Sequence, residues 1–352
     1  MIADPLPPAA NAERLTEALR KSGALPHGGV RRAEVVSSAK KLRSHTLRLR
    51  LDYEGLVGDA PNTIILKMGH LDGAGRSLYA NRQEMAFYRD VAPALPELLV
   101  PRCFEVVEAD ETSAWHLLLE DLTESHFIAT EWPLPPSPEQ YKAIAQVQAR
   151  FHAAWWDSPQ FGVSVGSFVN DLNGVVRRLT EQFAGFIDRY GELLPSERRE
   201  LYERLFERAP HLLVRQQSRR NLTLIHGDAH PWNFFLPRPG VGAGVRLIDW
   251  EDWGIDTATD DLAYMMAMLW YPDRRRRMER VLLDLYHAAL LAHGVRCYDR
   301  QALYDDYRLS VLWLITRPIS QAANNIPARV WWNNLERIML AVDDLGCRDL
   351  LS

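Results

Sequence analysis

The stretch "LTLIHGDAHPWNFFLPRPGVGAGVRLIDWEDWG", residues 222–254, constrains the fold more than any other part of the chain. The runs "LTLIH" and "VRLID" have the length and apolar content of buried strands. "NFFL" and "VRLID" are separated by "PRPGVGAG", whose glycines and prolines predict the turn of a β-hairpin. Polar residues that a core does not need stand at the ends of these strands: His226, Asp228, Asn233 and Asp249. They indicate a functional site.

The types and spacing of these polar residues suit phosphoryl transfer. We expect the hairpin to fold Asp249 back beside Asn233, and a carboxylate and a carboxamide are hard oxygen ligands of the kind that Mg²⁺ prefers. Asp228 stands slightly apart, where it can orient a hydroxyl group and accept its proton. The spacing from Asp228 to Asn233, D-x-x-x-x-N, also matches the catalytic loop of protein kinases.

The segment from residue 30 to residue 122 predicts a small sheet. Leu47, Leu49 and Leu51 alternate with arginines, as on a strand with one buried face. Residues 76–91 predict a helix after the third strand, and residues 11–23 predict a short helix before the first. The five predicted strands are "RAEVVSS", "HTLRLRLDY", "NTIILKMG", "RCFEVVEAD" and "AWHLLLEDL".

Beyond a proline-rich connector at residues 131–138, the pattern becomes helical. Residues 138–157, 274–293 and 304–319 predict helices, and "LAYMMAMLWY" predicts a short buried one. His152 lies on the apolar face of the first of these, where we expect a satisfied core histidine. We therefore predict an α+β fold with two lobes. The first, at 1–122, is β-rich, with residues 1–29 as a leading extension; the second, at 123–352, is mainly helical and carries the predicted hairpin.

Composition excludes several classes of protein. The net charge of −5 and the isoelectric point of about 6.1 argue against a nucleic-acid binder. The three cysteines are far apart and show no C-x-x-C spacing, which argues against a disulfide framework or a zinc site and favours a cytoplasmic protein. The first residues lack the pattern of a signal peptide, and no apolar run is long enough to predict a membrane span.

The motifs "HGDAHPWN" and "LIDWED" resemble those of the aminoglycoside phosphotransferase and choline kinase superfamily, small-molecule kinases with a protein-kinase-like fold. The resemblance covers residues from about 30 to about 320, and its nearest part is the ecdysteroid-kinase-like branch together with bacterial phosphotransferases of unknown substrate. It implies transfer of the γ-phosphate of ATP or GTP, with Mg²⁺, to a hydroxyl group of a small molecule. Aminoglycoside, choline, sugar and sterol acceptors stay open.

The resemblance also implies roles for residues of the predicted sheet. Lys67, on the third strand, would contact the nucleotide phosphates, and Glu84, on the following helix, would pair with it. The backbone of a hinge strand, near Leu118, Glu120 and Asp121, would face the adenine ring. The predicted loop at residues 37–45 contains no glycine, so the side chains of Ser37 and Ser38, with Lys40, would have to replace the usual backbone contacts to phosphate.

In the predicted helical lobe, the resemblance implies structural roles for His226 and Asp261, which would hold the catalytic loop or cap a helix. The C-terminal helices would shape the acceptor pocket, and its candidate residues are Trp313, Arg317, Gln321 and Trp331. The alternative function is a catalytically inactive kinase fold that serves as a binding module, which only the glycine-free loop favours. A protein kinase is disfavoured because the motifs H-R-D and A-P-E are absent from the sequence.

Overall fold

The computed structural model describes residues 6–41, 43–70, 81–95, 98–109, 114–213, 217–242 and 244–352. The chain divides into two compact units. The sheet unit comprises Met1–Ile128 and Phe234–Glu251, and the helical unit comprises Ala129–Asn233 and Asp252–Ser352. The lobe boundaries predicted from the sequence stay a prediction.

The sheet unit is built on five antiparallel strands in the spatial order β1-β2-β3-β5-β4. All five strands predicted from the sequence are present. Leu47, Leu49 and Leu51 are at most 4% exposed, so the alternation on β2 places them in the core as predicted. The strands are β1 (Gly29–Lys40), β2 (Ser44–Glu54), β3 (Thr63–Gly69), β4 (Cys103–Val107) and β5 (His116–Glu120).

Two helices belong to the same unit, one before β1 and one between β3 and β4. Helix α1 (Ala12–Lys21) confirms the first predicted helix; its N-cap, Asn11, accepts a hydrogen bond from the Glu13 N–H at 2.8 Å. Helix α2 (Arg82–Ala86) continues as a π-helical turn over Phe87–Val91. The start of the predicted helix, residues 76–80, lies outside the described residues.

The predicted loop at residues 37–45 is wrong. Strand β1 continues to Lys40 and β2 begins at Ser44, with Ser37 opposite Arg48 and Ser38 opposite Leu47. Residues 35–40 are exposed, so this end of the strand buries no face and tolerates serine and lysine. The polar composition suggested a loop, whereas pairing with β2 decides the structure.

A second, three-stranded sheet belongs to the same unit, in the order β6-β8-β9. Its strands are β6 (His126–Ile128), β8 (Phe234–Pro237) and β9 (Arg246–Leu247). Phe234 lies opposite Leu247, which confirms the predicted hairpin. Strand β6, which pairs with β8, was not predicted from the sequence.

The helical unit contains one strand pair and most of the helices. The predicted strand after Leu222 is β7 (Thr223–Ile225), and it pairs with the unpredicted β10 (Gly254–Asp256). The predicted helix at 304–319 is wrong in part, because the chain breaks at Ile315 into two helices. The helices are α3 (Pro138–Ala154), α4 (Leu172–Tyr190), α5 (Ser196–Leu212), α6 (Thr259–Ala263), α7 (Pro272–Ala292), α8 (Arg300–Leu314), α9 (Thr316–Ala323) and α10 (Ala328–Asp344).

The apolar segment after α6 forms a π-helical turn over Tyr264–Met268, and all five of its residues are buried. Within the described part of the chain, no helix is both long and apolar enough to cross a membrane.

Candidate active site

In the sheet unit, one buried lysine is surrounded by carboxylates. Lys67, on β3, is 8% exposed, and its Nζ lies 2.7 Å from an oxygen of Glu84 and 2.6 Å from Oδ1 of Asp249. Glu251 Oε1 lies 3.5 Å from the same nitrogen. Asn81 donates a hydrogen bond of 2.6 Å to Glu84 and fixes its carboxylate. We call Lys67, Glu84, Asp249 and Glu251 the Lys67 cluster.

The charges of the Lys67 cluster shift its pKa values in a consistent way. Burial alone would lower the pKa of Lys67, but the carboxylates of Glu84 and Asp249 outweigh burial and raise it above the ordinary value. Lys67 is therefore a permanent cation. Burial raises the pKa of Glu251, and the negative charges of Asp249 and Glu84 raise it further, while Lys67 opposes the shift.

Asp249 follows β9 in a left-handed backbone conformation, with φ of +68°. A residue with a Cβ atom adopts this conformation at a cost of about 1–2 kcal/mol. The next residue, Trp250, is fully buried and stacks on Phe87, with ring centroids 3.8 Å apart and planes 7° apart. This packing holds the segment in place and directs the Asp249 carboxylate to Lys67.

Two residues between β1 and β2 supply further cations to the same acids. Lys41 Nζ lies 3.5 Å from Oδ2 of Asp249, and an Arg43 nitrogen lies 3.7 Å from Glu251. Lys41 is not among the residues predicted from the sequence, although it stands beside the predicted Lys40 in the same "KK" pair. Ser38 bonds His45 at 2.8 Å across the two strands, and its role in phosphate binding stays a prediction, as does that of the exposed Ser37.

The predicted hinge lies at the end of β5, where two of its polar groups are already engaged. The Glu120 N–H donates to the Arg102 carbonyl oxygen at 2.8 Å, so this N–H is not open to an adenine ring. Asp121 accepts a hydrogen bond of 2.6 Å from Arg48. Burial alone would raise the pKa of Asp121, but its hydrogen bonds, from Thr123 and Arg48 among others, lower it overall. Leu118 pairs with both neighbouring strands, and the hinge role stays a prediction.

In the helical unit, a buried carboxylate accepts hydrogen bonds from the backbone of the loop after β7. The backbone N–H groups of His226 and Gly227 donate to Asp261 at 2.7 and 2.9 Å. Asp261 also lies 3.1 Å from His152 Nε2, while the other ring nitrogen of His152 bonds Tyr286 at 2.6 Å. This geometry is what a structural role of Asp261 requires, and it makes His152 a satisfied core residue, as expected.

Gly227 is required at its position. Its φ is +77°, and a Cβ atom there would lie 2.1 Å from the carbonyl oxygen of Asp252. The close approach of the two chain segments explains the glycine of the H-G-D motif in conformational and steric terms.

Asp228 is oriented by side chains of the same unit. The hydroxyl of Tyr264 donates to Asp228 Oδ1, and Asn233 Nδ2 donates to the Asp228 carbonyl at 3.0 Å. His230 Nε2 lies 3.5 Å from Asp228 Oδ2. Burial and the nearby Asp228 charge raise the pKa of Tyr264, so its hydroxyl stays a donor. Tyr264 was not predicted from the sequence, because it stands in an apolar run that indicates only a buried helix.

The four acceptor candidates lie in different surroundings. Gln321 lines a large cavity, described below, whereas Trp313 and Arg317 line a small one near Gly227. Arg317 donates to the Gly227 carbonyl and to Asp252, both at 3.1 Å, so it supports the loop. Trp331, by contrast, lines neither cavity. It is 2% exposed and packs against Phe186 and Tyr190, so it is a core residue and not an acceptor-pocket residue as predicted.

Comparison with known proteins shows the family and the enzyme class of this chain. Residues 55–302 match the model of the phosphotransferase enzyme family (APH), so the chain belongs to this family. The enzyme class predicted from the sequence, a phosphotransferase with an alcohol group as acceptor, is confirmed. No curated protein matches the chain by sequence.

Solved structures show the same fold. A candidate aminoglycoside phosphotransferase from Ralstonia eutropha JMP134 is 15% identical, with a TM-score of 0.58 over 95% of this chain and 96% of that one. A choline/ethanolamine kinase family protein from Mesorhizobium loti is 16% identical, with a TM-score of 0.54 over 88% and 87%. The ethanolamine kinase of Plasmodium vivax is 10% identical, with a TM-score of 0.56 over 88% and 82%. The α+β, protein-kinase-like fold class is thus confirmed, and the ecdysteroid-kinase-like branch stays a prediction.

Proposed function

We propose that this phosphotransferase is an ATP- or GTP-dependent kinase that phosphorylates a hydroxyl group of a small molecule. The observation that carries the proposal is the fixed position of the Asp228 carboxylate. This carboxylate is held by Tyr264 on a loop that Asp261 fixes through two backbone hydrogen bonds. A carboxylate fixed in this way can orient an acceptor hydroxyl before transfer.

The proposed roles of this chain's residues in the transfer are as follows. Asp228 takes the proton of the acceptor hydroxyl while the hydroxyl oxygen forms a bond to the γ-phosphorus, and the bond from that phosphorus to the nucleoside diphosphate breaks. Lys67 lies against the nucleotide phosphates and compensates their charge. Glu84 holds the flexible amine of Lys67 in one place, as their buried contact of 2.7 Å supports.

The residues present suit a magnesium ion. Ligand atoms of Glu84, Asp249 and Glu251 all lie within 4.8 Å of one another, and carboxylate oxygens are the ligands that Mg²⁺ prefers. Asn233 turns its Nδ2 toward Asp228, so its carbonyl oxygen points elsewhere and can serve as a ligand. We propose that Asn233 and Asp249 hold Mg²⁺, as the sequence pattern predicts. The ion would supply positive charge to the phosphate groups.

Calorimetry of nucleotide binding tests this function. Wild-type protein is titrated with ATP and with GTP, each with and without Mg²⁺, and the titrations are repeated with Asp249→Ala. We expect one of the two nucleotides to bind in a Mg²⁺-dependent manner and the variant to lose that binding. The exposed Asp59 of the same unit provides a matched control, since Asp59→Ala removes a carboxylate that does not belong to the Lys67 cluster and should bind as wild type does.

The outcomes separate the proposed function from its alternative. Binding that survives in Asp249→Ala would refute the proposed metal ligand. If neither nucleotide binds to the wild type, the proposed function is wrong and an inactive binding module becomes the better explanation. Loss of turnover in Asp228→Ala with unchanged nucleotide binding would support the proposed base, and intact turnover would refute it.

A further inference from the structure

The helical unit contains a large cavity beside Asp228. Its volume is about 820 Å³, within the range of small-molecule sites. Two of its lining residues, His230 and Tyr264, also contact the Asp228 carboxylate, so a molecule in the cavity can reach the proposed base. The other residues that matter here are aromatic or basic: Trp132, Trp232, Tyr271, Arg274, Arg329 and Arg337.

The cavity is cationic. Three arginines line it, and none of the described lining residues is an aspartate or a glutamate. Arg337 donates to the Met268 carbonyl and to Asn334 Oδ1, both at 2.7 Å, and Arg274 donates to the Pro136 carbonyl at 3.3 Å. These acceptors are neutral. No carboxylate in the described part of the chain pairs with the three guanidinium groups. Because no carboxylate offsets the effect of burial, the pKa of Arg337 is lowered.

The aromatic walls do not form a cage for a cationic acceptor. A quaternary ammonium group needs open aromatic faces. Arg337 lies 5.2 Å from the ring centroid of Tyr271, and Arg317 lies 5.4 Å from that of Tyr264. Two of the faces that would bind a cation are therefore already covered by arginines.

An acidic cavity exists in the same unit, but it is small. Its volume is about 260 Å³, below the usual size of a ligand site. Its acids are engaged within the protein: Asp252 pairs with Arg317 at 3.1 Å, Asp261 binds the loop backbone, and the buried Asp260 hydrogen-bonds Ser310. A polycationic acceptor such as an aminoglycoside finds no unpaired carboxylates there.

We propose that the large cavity binds an acceptor alcohol that carries an anionic group, a carboxylate or a phosphate, which the arginines at 274, 329 and 337 recognise. Guanidinium groups match the geometry of carboxylate and phosphate oxygens, and they repel cations. This inference rests on the proposed function and narrows its acceptor to the anionic alcohols with an apolar body.

Binding of a matched set of alcohols tests the inference. The probes are para-hydroxymethyl benzoate, its neutral carboxamide analogue and its cationic trimethylammonium-methyl analogue, with para-hydroxymethyl benzylphosphonate as a second anion. Dissociation constants for the full chain are measured by tryptophan fluorescence, since three tryptophans line the cavity. We expect an anionic probe to bind about tenfold more tightly than the neutral and cationic ones, and less tightly as salt increases. Comparison of benzoate with phosphonate then identifies the anionic group.

Variants locate the effect. Arg274→Gln and Arg337→Gln should each weaken binding of the preferred anion by about tenfold and leave the neutral probe unchanged. Arg277→Gln is the matched control, because Arg277 is exposed on the same helix as Arg274 and does not line the cavity. Arg337 bonds the backbone and its loss could impair folding, so the exposed Arg329→Gln provides a variant that keeps the inference falsifiable.

Three results would overturn the inference: tighter binding of the cationic probe, equal binding or no binding of all probes, or arginine variants that behave as Arg277→Gln does. The proposed function fails separately. Anion-selective binding without any nucleotide binding would support recognition of anions by the cavity and refute the kinase. Phosphorylation of the cationic probe in preference to the anions would support the kinase and refute the inference.

Discussion

Replacing Asp261 by asparagine should strongly destabilise the helical unit. Asp261 is 1% exposed, and its two oxygens accept the N–H groups of His226 and Gly227 at 2.7 and 2.9 Å. An asparagine keeps one oxygen and turns an NH₂ group toward the other backbone donor. Losing a hydrogen bond to a charged group costs about 1.5–3 kcal/mol, and an unsatisfied buried N–H costs about 1–3 kcal/mol more. We expect the free energy of unfolding to fall by roughly 3–5 kcal/mol.

The neighbouring Asp260 provides the control. Burial raises its pKa well above the ordinary value, and the charge of Asp256 raises it further, while a hydrogen bond with Ser310 opposes the shift. The folded protein therefore favours the protonated form of Asp260, which asparagine resembles in shape and charge. Asp260→Asn should leave the free energy of unfolding unchanged or increase it.

The two variants should respond to pH in opposite ways. Burial alone would raise the pKa of Asp261, but hydrogen bonding and charge from His152, followed by His226, lower it overall. The stability that Asp261 provides is thus present above its unfolded pKa of about 3.9, and it is lost as the pH falls through the lower folded value. The deficit of Asp261→Asn should shrink in acid. Asp260, with its raised pKa, favours folding at low pH, so any gain from Asp260→Asn should grow as the pH rises.

Urea unfolding, followed by tryptophan fluorescence at neutral pH and at several acidic values, measures both variants against the wild type. Equal stability of Asp261→Asn and Asp260→Asn at neutral pH would refute the structural role of Asp261. A deficit of Asp261→Asn that stayed constant from neutral to acidic pH would refute the stabilising role of its charge.

Three further predictions concern other parts of the site. Lys67→Met leaves Glu84, which is 1% exposed, without its cation, and should lower the free energy of unfolding by about 3–5 kcal/mol. In a double-mutant cycle, the double variant with Glu84→Gln should recover part of this loss, whereas strict additivity of the two changes would contradict the pairing. Gly227→Ala places a Cβ atom 2.1 Å from a backbone carbonyl oxygen and should cost about 2 kcal/mol or more in chemical unfolding, whereas Gly254→Ala, with open space at its Cβ position, should not. Tyr264→Phe removes the hydroxyl that orients the proposed base and should reduce kcat by up to about a hundredfold with unchanged nucleotide affinity in calorimetry; unchanged kcat would show that this hydrogen bond is dispensable.

The strands of the sheet unit could be predicted because their signal is local. On β2, alternating leucines and arginines report directly which face is buried. The polar end of β1 could not be predicted, since Ser37 to Lys40 are strand residues only through pairing with β2. Strands β6 and β10 have three residues each, and, unlike the equally short β7, neither stands in an apolar run that marks a strand.

The residues of the candidate site also divide into those that local sequence signals predict and those that depend on contacts between distant parts of the chain. The spacing of Asp228, Asn233 and Asp249 was visible because turn residues and strand ends mark these positions. Tyr264 was not visible, because its function depends on a contact with Asp228 across 36 positions of sequence. The cationic character of the large cavity was likewise hidden, since its arginines come from two helices that are far apart in sequence.

Because the backbone at Asp249 is left-handed, stability and phosphate transfer favour different residues at this position. Glycine would relieve the backbone strain, and asparagine would reduce it while keeping the side chain's shape. Both would remove the charge that contacts Lys67 at 2.6 Å. A library randomised at this position and sorted for thermal stability should therefore enrich glycine and asparagine, whereas the same library sorted for phosphate transfer should return aspartate. The divergence between the two sorted pools would measure how much stability this protein gives up for its chemistry.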